Sequence, residues 1–199
     1  MILEGIVTTV AADGTINVAP MGPLVEMTPS DTDWRRFVLR PFQTAQTYRN
    51  LVAHPEGVLH VTDDVLLLAR AAVGALDPLP PLVPATHVRG WVLRDCCRYY
   101  EFRIAARDDS AARARLDAEV IHTERVRDFF GLNRALHAVV EASILATRLE
   151  LLPRDEIAAA YRQLAVLVEK TGGPREREAF AFLKEYVQRA NERNDEARE

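Results

Sequence analysis

The sequence predicts an α+β protein in which strands come first and helices after, and three observations lead there. From Met1 to about Arg107, short runs of Val, Ile, Leu and Thr are punctuated by Gly and Pro, the pattern of strands joined by turns. From Asp108 onward the apolar spacing becomes i, i+4, i+7 and i+8, that of amphipathic helices. Asp13-Gly14, between ILEGIVTTV and TINVAP, is the strongest hairpin signal, because tight primed turns need positive φ and these residues tolerate it.

Taken in order, the two arms of that hairpin are followed by strand candidates at Pro23 to Met27, Arg35 to Leu39, Val58 to Thr62, Val65 to Ala69, Trp91 to Cys97 and Tyr100 to Ala105, a number that suits a small barrel. A short helix or helical turn is expected at Gln43 to Leu51, after Pro41 and before His54-Pro55. Four prolines between Leu76 and Pro84 remove backbone donors and mark an extended loop or sheet edge. Asp109 or Ser110 is positioned to cap a helix running to about His122. A second helix begins near Leu132, with Leu132, Leu136, Val139, Val140, Ile144 and Thr147 on one face. A third follows Pro153, with Asp155 as a cap and Ile157, Tyr161, Leu164 and Val168 along it, and stops at Thr171-Gly172-Gly173. Pro174 suits the first turn of a fourth, carrying Phe180, Leu183 and Val187, with a frayed tail at NERNDEARE. The expected division is a barrel over residues 1–108 and a helical subdomain over 109–199.

At 199 residues, 48% hydrophobic and 27% charged, the chain can bury a substantial core and is far from the profile of a disordered protein. A net charge of −4 gives no broad positive field for phosphates, which argues against nucleic acid as a partner. MILEGIVTTV reads as a strand and not as a leader, and the apolar run Val65 to Val73 is interrupted by Arg70 and too short to span a bilayer. A cytoplasmic protein without membrane association is expected. Cys96 and Cys97, the only cysteines, read as buried or half-buried strand residues, since neighbours on a strand face opposite ways and two thiols alone do not make a zinc site. No nucleotide-loop, zincin or nucleophile-elbow motif is present, and His54, His60, His87, His122 and His137 show no metal-ligand spacing, so no metal site is expected.

Two segments remain as candidates for chemistry: Asn17-Val18-Ala19-Pro20-Met21-Gly22, and Arg40 through Asn50. The second joins a strand end to a helix start and offers a guanidinium, two hydroxyls and free helix amides, a set suited to a phosphate. The alternative is a Thr-capped helix beside a solvated Arg. Asn133, Arg134, His137 and Glu141 form a polar row at i, i+1, i+4 and i+8, either an internal network pinning the helices or a direct contribution to a ligand. Asp63 and Asp64 are turn residues or ligand contacts.

These residues carry a resemblance. Gly14 to Gly22, Thr44 to Leu51 and Gly57 to Asp64 resemble the hairpin, hydroxyl-rich strand-to-helix segment and buried strand of the flavin-binding split-barrel superfamily. Over nearly its full length the chain is similar to the domain of unknown function 447 (DUF447) family, through ILEGIVTT, NVAPMG, LRPFQTAQTYRNL, VTDD, GLNRALHAVVEASILATRLELL and KTGGPREREA. His60 stands where the resemblance implies Asn. What the resemblance implies is an FMN-binding split β-barrel with a C-terminal all-helical subdomain, assembling as a homodimer with the flavin near the subunit interface. Arg40, Thr44 and Thr47 would hold the phosphate, and the backbone of Ala19, Pro20, Met21 and Gly22 would lie along the isoalloxazine ring. Asn17, Phe42 and Arg134 join the implied cofactor set, with Phe42 equally suited to the core.

Two functions follow from the implied cofactor. One is an FMN-dependent oxidoreductase or flavin-reductase-like protein with a nicotinamide donor, in which flavin supplies the redox chemistry and protein positions it. The other is a non-catalytic flavin-binding carrier, sensor or partner protein, consistent with the absence of a recognisable acid, base and nucleophile set. A flavin-free structural protein is the third reading.

Overall fold

The computed structural model describes residues 1–25 and 34–196. It divides into two compact units, one of residues 1–62 and 79–129, the other of residues 63–78 and 130–199. The first is a sheet unit. Its strands are β1 (Gly5–Val10), β2 (Ile16–Met21), β3 (Leu24–Val25), β4 (Arg36–Leu39), β5 (Glu56–Val61), β6 (Leu82–Pro84), β7 (Trp91–Leu93), β8 (Arg98–Asp108) and β9 (Arg115–Arg125), with one helix, α1 (Gln46–Ala53). Seven of these form an antiparallel sheet in the order β2-β1-β5-β8-β9-β4-β3, while β6 and β7 form a separate hairpin.

The hairpin at Asp13-Gly14 forms as expected: Gly14 has φ of 91°, and the Thr15 amide donates to Asp13 Oδ1 at 2.9 Å. β1 is buried along its whole length between β2 and β5, which explains its near-continuous apolar run. The core gathers Phe37, Leu39, Leu59, Phe102 and Leu116 around Trp34, whose ring stacks on Tyr100 at 4.0 Å between centroids. Gly57 makes room for this packing, because a Cβ there would come within 2.8 Å of Phe102 Cζ and 3.0 Å of the Thr8 carbonyl. His60 is fully buried in β5, where Nδ1–H donates to the Ile6 carbonyl (3.0 Å) and Nε2 accepts from the Leu93 amide (3.1 Å). Together with the Thr8 hydroxyl, which donates to the Trp91 carbonyl, this imidazole fastens the β6–β7 hairpin to the main sheet.

The expected helix from Asp109 or Ser110 to His122 is instead a turn followed by β9. Its short-range pattern has period two, with Leu116 and Ala118 buried and Arg115 and Glu119 exposed, and both flanks pair, one with β8 and one with β4. The cap-like polar residues make an Asx turn in which the Ser110 amide donates to Asp108 Oδ1 at 2.9 Å. The division therefore falls near residue 129 and not at 108.

The second unit is helical: α2 (Val65–Ala72), α3 (Arg134–Ala146), α4 (Arg154–Thr171) and α5 (Pro174–Glu196). The strand expected at Val65 to Ala69 is helix α2, capped by Asp64 Oδ1 accepting from the Leu67 amide at 3.0 Å. Its apolar residues read as a buried strand because Val65, Leu68 and Ala69 are all buried, Val65 and Ala69 within the core of the helical unit. α3 starts at Arg134, later than expected, so Leu132 is exposed at 89% and contributes nothing to the buried face. That face is built largely from Ala135, Ala138, Ala142 and Ala146 with Leu136 and Val139. α4 begins at Arg154 with Pro153 as its N-cap residue and no side-chain cap, so Asp155 is a first-turn acid and not the cap. α5 continues to Glu196, past the expected fraying point. Cys96 and Cys97 lie in the turn between β7 and β8 and not on a strand; both are buried thiols outside any disulfide, and burial pushes the Cys96 thiol up to about 12. Glu26 and Met27, expected at the end of a strand, lie outside the described residues; Leu24–Val25 form β3. No described helix is long and apolar enough to cross a membrane.

Candidate functional site

The two segments singled out in the sequence meet through side chains. Thr9 on β1 and Asn17 on β2 are register partners, and Asn17 Nδ2 donates to Thr9 Oγ1 at 3.3 Å and to Thr47 Oγ1 at 3.1 Å. Asn50 Nδ2 donates to the same Thr9 oxygen at 3.0 Å, and Gln46 Nε2 donates to Asn50 Oδ1 at 2.6 Å. Thr9, Thr47 and Asn50 are each at most 3% exposed, so this is a buried polar network locking α1 onto the β1–β2 hairpin. Thr47 thus points inward as an acceptor for Asn17. Thr9 lay outside both segments because a Thr within a β run reads as filler, while Asn50 closes the second segment and enters the network as a donor to Thr9.

The start of α1 is open. Ala45 is its N-cap residue, no side chain caps it, and Thr44 and Gln46 are exposed. The Thr-capped alternative is therefore not what forms, and the first-turn amides retain the partial positive charge of a helix start. Arg49 folds back over this end, with Nη1 donating to the Thr44 carbonyl at 2.7 Å and Nη2 to Gln46 Oε1 at 2.8 Å. Arg40 is exposed on the preceding turn, and its carbonyl accepts from Arg113 Nη1 at 3.4 Å. The Arg113 guanidinium lies 4.0 Å above the Phe42 ring, which is 49% exposed and so not a core residue. Gln43 fixes the turn by donating from Nε2 to the Asp109 and Ala111 carbonyls at 2.9 and 2.8 Å. Arg49 therefore covers the open helix start, while the Arg113 guanidinium and the exposed Arg40 lie at the turn that precedes it. Arg113 escaped the sequence reading because its segment was read as helix, which hid its bridge to Phe42.

β2 is the last strand of its sheet, so among the described residues one side of its backbone is unpaired. Ala19, Pro20 and Met21 are half-buried there and Gly22 is exposed just beyond. A Cβ at Gly22 would come within 2.8 Å of Cγ2 of the exposed Ile2, so the missing side chain lets the two approach closely. The result is a half-buried apolar ledge at the edge of the described sheet.

Arg134 belongs to the helical unit, where it is the exposed first residue of α3. Of its polar row, Asn133 caps α3 by accepting from the Ala135 amide (2.8 Å) while its Nδ2 donates to the Thr171 carbonyl (3.1 Å), tying α3 to the end of α4. His137 and Glu141 are exposed, so the row does not act as one network. Asp63 Oδ2 accepts from the Phe130 amide at 3.0 Å, and Asp64 is the cap of α2.

Residues 3–127 match the family described as protein of unknown function (DUF447), N-terminal domain, and residues 133–185 match protein of unknown function (DUF447). Among solved structures, an FMN-bound DUF447 protein from Methanosarcina mazei superposes with a TM-score of 0.78 at 22% identity, over 93% of this chain and 94% of that one. Flavin reductase HpaC, complexed with NADP+, superposes with a TM-score of 0.52 at 17% identity, over 64% of this chain and 80% of that one. The 2-nitrobenzoate 2-nitroreductase NbaA of Pseudomonas fluorescens gives 0.51 at 17% identity, over 61% and 64%. The fold is thus the split barrel shared with flavin reductases, with helices following it. With both of its domains matched, the chain belongs to the DUF447 family.

Proposed function

We propose that this protein binds FMN on the sheet unit and acts as a flavin-reductase-like oxidoreductase with a nicotinamide donor. The observation that carries the proposal is the uncapped start of α1 with the Arg49 guanidinium folded over it and Arg40 and Arg113 at the preceding turn, tied through Thr47 and Asn17 to the edge strand β2. The donor set fits the cofactor. Main-chain amides of α1 and the Arg40 guanidinium neutralise a phosphate dianion, with the exposed Thr44 hydroxyl as a further donor. Thr47 and Asn17 hold the helix start in place from beneath. Ala19, Pro20, Met21 and Gly22 supply the wall and edge contacts for a planar ring, and Phe42 adds an apolar surface next to the arginines. FMN, when bound, supplies the hydride and electron transfer. The FMN bound by the Methanosarcina mazei relative and the NADP+ bound by HpaC support the choice of cofactor and donor. A cytoplasmic homodimer belongs to the same reading, and sedimentation of the full chain tests the dimer.

The phosphate assignment is tested by titrating the flavin-stripped full chain with FMN and with riboflavin. FMN is expected to bind at least tenfold more tightly, and Arg40→Ala with Thr44→Ala removes that advantage while leaving riboflavin affinity in place. Equal affinities in the unsubstituted protein contradict the assignment. Anaerobic addition of NADH or NADPH then separates the functions: bleaching of bound flavin supports a reductase, and flavin that stays oxidised with both donors assigns the protein to binding or carriage.

A further inference from the structure

We propose that His87, Glu101 and His122 form a binding site for a divalent first-row transition-metal ion, sharing no residue with the proposed flavin site. Glu101 on β8 and His122 on β9 are direct register partners in the ladder, beside the bulge at Glu101/Phe102. His87 arrives from the loop between β6 and β7, closed by the Ala85 amide donating to the Gly90 carbonyl at 3.0 Å. One ligand atom from each of the three lies within 4.8 Å of the others, and the two imidazole rings stack at 4.3 Å between centroids.

The carboxylate is what distinguishes this grouping from a chance pair of surface histidines. Glu101 is fully buried, and the loop is wrapped around it. Oε1 accepts from the Thr86 amide (3.0 Å) and hydroxyl (3.1 Å), and Oε2 from the amides of His87 (2.6 Å) and Val88 (2.9 Å). A buried anion is costly without a compensating charge. The ionisable side chain recorded against it is an imidazole, with His87 Nδ1 standing 3.9 Å from Oε2. A bound cation would supply that charge, while the three backbone amides would act as the outer shell that orients a metal-bound carboxylate.

The geometry needs a small adjustment to close. Metal bonds of roughly 2.0–2.2 Å place paired ligand atoms about 3–3.5 Å apart, so the groups must draw together by about 1 Å. His87 and His122 have side chains 50% and 31% exposed and can turn without disturbing the core. Among the described residues the Thr86 hydroxyl is the one non-backbone donor to Glu101, and it also bonds His87 Nδ1 at 2.8 Å, so its rotation frees an oxygen lone pair and that imidazole nitrogen together. Two imidazole nitrogens and one carboxylate oxygen suit zinc, nickel, cobalt or copper, and not the all-oxygen preference of magnesium or calcium. The ion would cross-link the β6–β7 hairpin loop to the main sheet.

The experiment is equilibrium dialysis of the full chain, freed of metal by a chelator, against micromolar Zn2+ near neutral pH, with bound zinc counted by atomic spectroscopy. One equivalent is expected, with an upward shift of the sheet unit's melting temperature. His87→Ala and His122→Ala should each weaken uptake at least tenfold and abolish the shift, while His137→Ala, exposed on α3, should leave both intact. Because both ligands are partly exposed, the variants should melt like the parent in chelator, which controls for folding. Undiminished uptake by either variant, or no uptake by the parent, overturns the proposal.

Discussion

Lowering the pH from about 7.5 to about 5 should destabilise the sheet unit through His60 alone. Complete burial holds this imidazole's pKa down at about 4, against an ordinary 6.5, with the Ile6 carbonyl opposing that shift. Its hydrogen bonds explain why the neutral form is required: Nε2 accepts from the Leu93 amide, and protonation would set two N–H donors against each other inside the core. Between those two pKa values the unfolded chain binds a proton that the folded chain refuses. Stability is therefore full above the unfolded pKa and falls as the pH drops toward the folded one. At about pH 5 the linked loss is about 2 kcal/mol, approaching roughly 3 kcal/mol below pH 4. Urea unfolding of the flavin-free full chain measures it. Trp34 and Trp91 both lie in the sheet unit, so tryptophan fluorescence reports that unit. A midpoint shift on the order of 1 M is expected. His60→Asn, which removes the titrating group, should flatten the dependence by that amount whatever its effect at pH 7.5. An identical pH slope in the two proteins refutes the account of His60.

Three further outcomes follow. Asn17→Ala removes the donor shared by Thr9 and Thr47 and should cost about 1–3 kcal/mol in sheet-unit stability by the same fluorescence measurement. It should also weaken FMN binding more than riboflavin binding, because it loosens the start of α1. Asn133→Ala strips the cap of α3 and its tie to Thr171, and should cost about 1–2 kcal/mol, read as faster amide exchange at the start of α3 with no change in the sheet. Phe102→Ala, at a site with no exposure and packed edge-on against Phe37 at 5.1 Å, should destabilise by about 3–5 kcal/mol in denaturant.

Much of the fold was legible because local chemistry and tertiary structure agree. Asp13-Gly14 forms its hairpin, the proline-rich stretch becomes a short edge pair, and the spacing of Ile157, Tyr161 and Val168 marks the buried face of α4. Failures came where the period was ambiguous over a short window. The run at Val65–Ala69 is apolar in every position, so helix and strand look alike, and Asp64 as a cap was the discriminating feature. Arg115–Arg125 carries many charged residues and follows cap-like Asp and Ser, yet its alternation of buried Leu116 and Ala118 with exposed neighbours is that of a strand. That one misreading displaced the domain boundary and concealed Arg113 and the pairing of His122 with Glu101. That the segments of Asn17 and Thr47 both mattered was legible, and the two side chains meet. Which of their atoms face outward was not, because the inward turn of Thr47 depends on its partner Asn17, held in turn by Thr9, both distant from it in sequence.

The central claim is that FMN is this protein's resident cofactor, and the visible spectrum of freshly purified full-length protein tests it most directly. The account predicts a yellow protein with flavin absorption bands, releasing close to one equivalent of FMN on denaturation and taking it up again afterwards. A colourless protein that cannot be reconstituted with FMN, or one that releases a different chromophore, contradicts it.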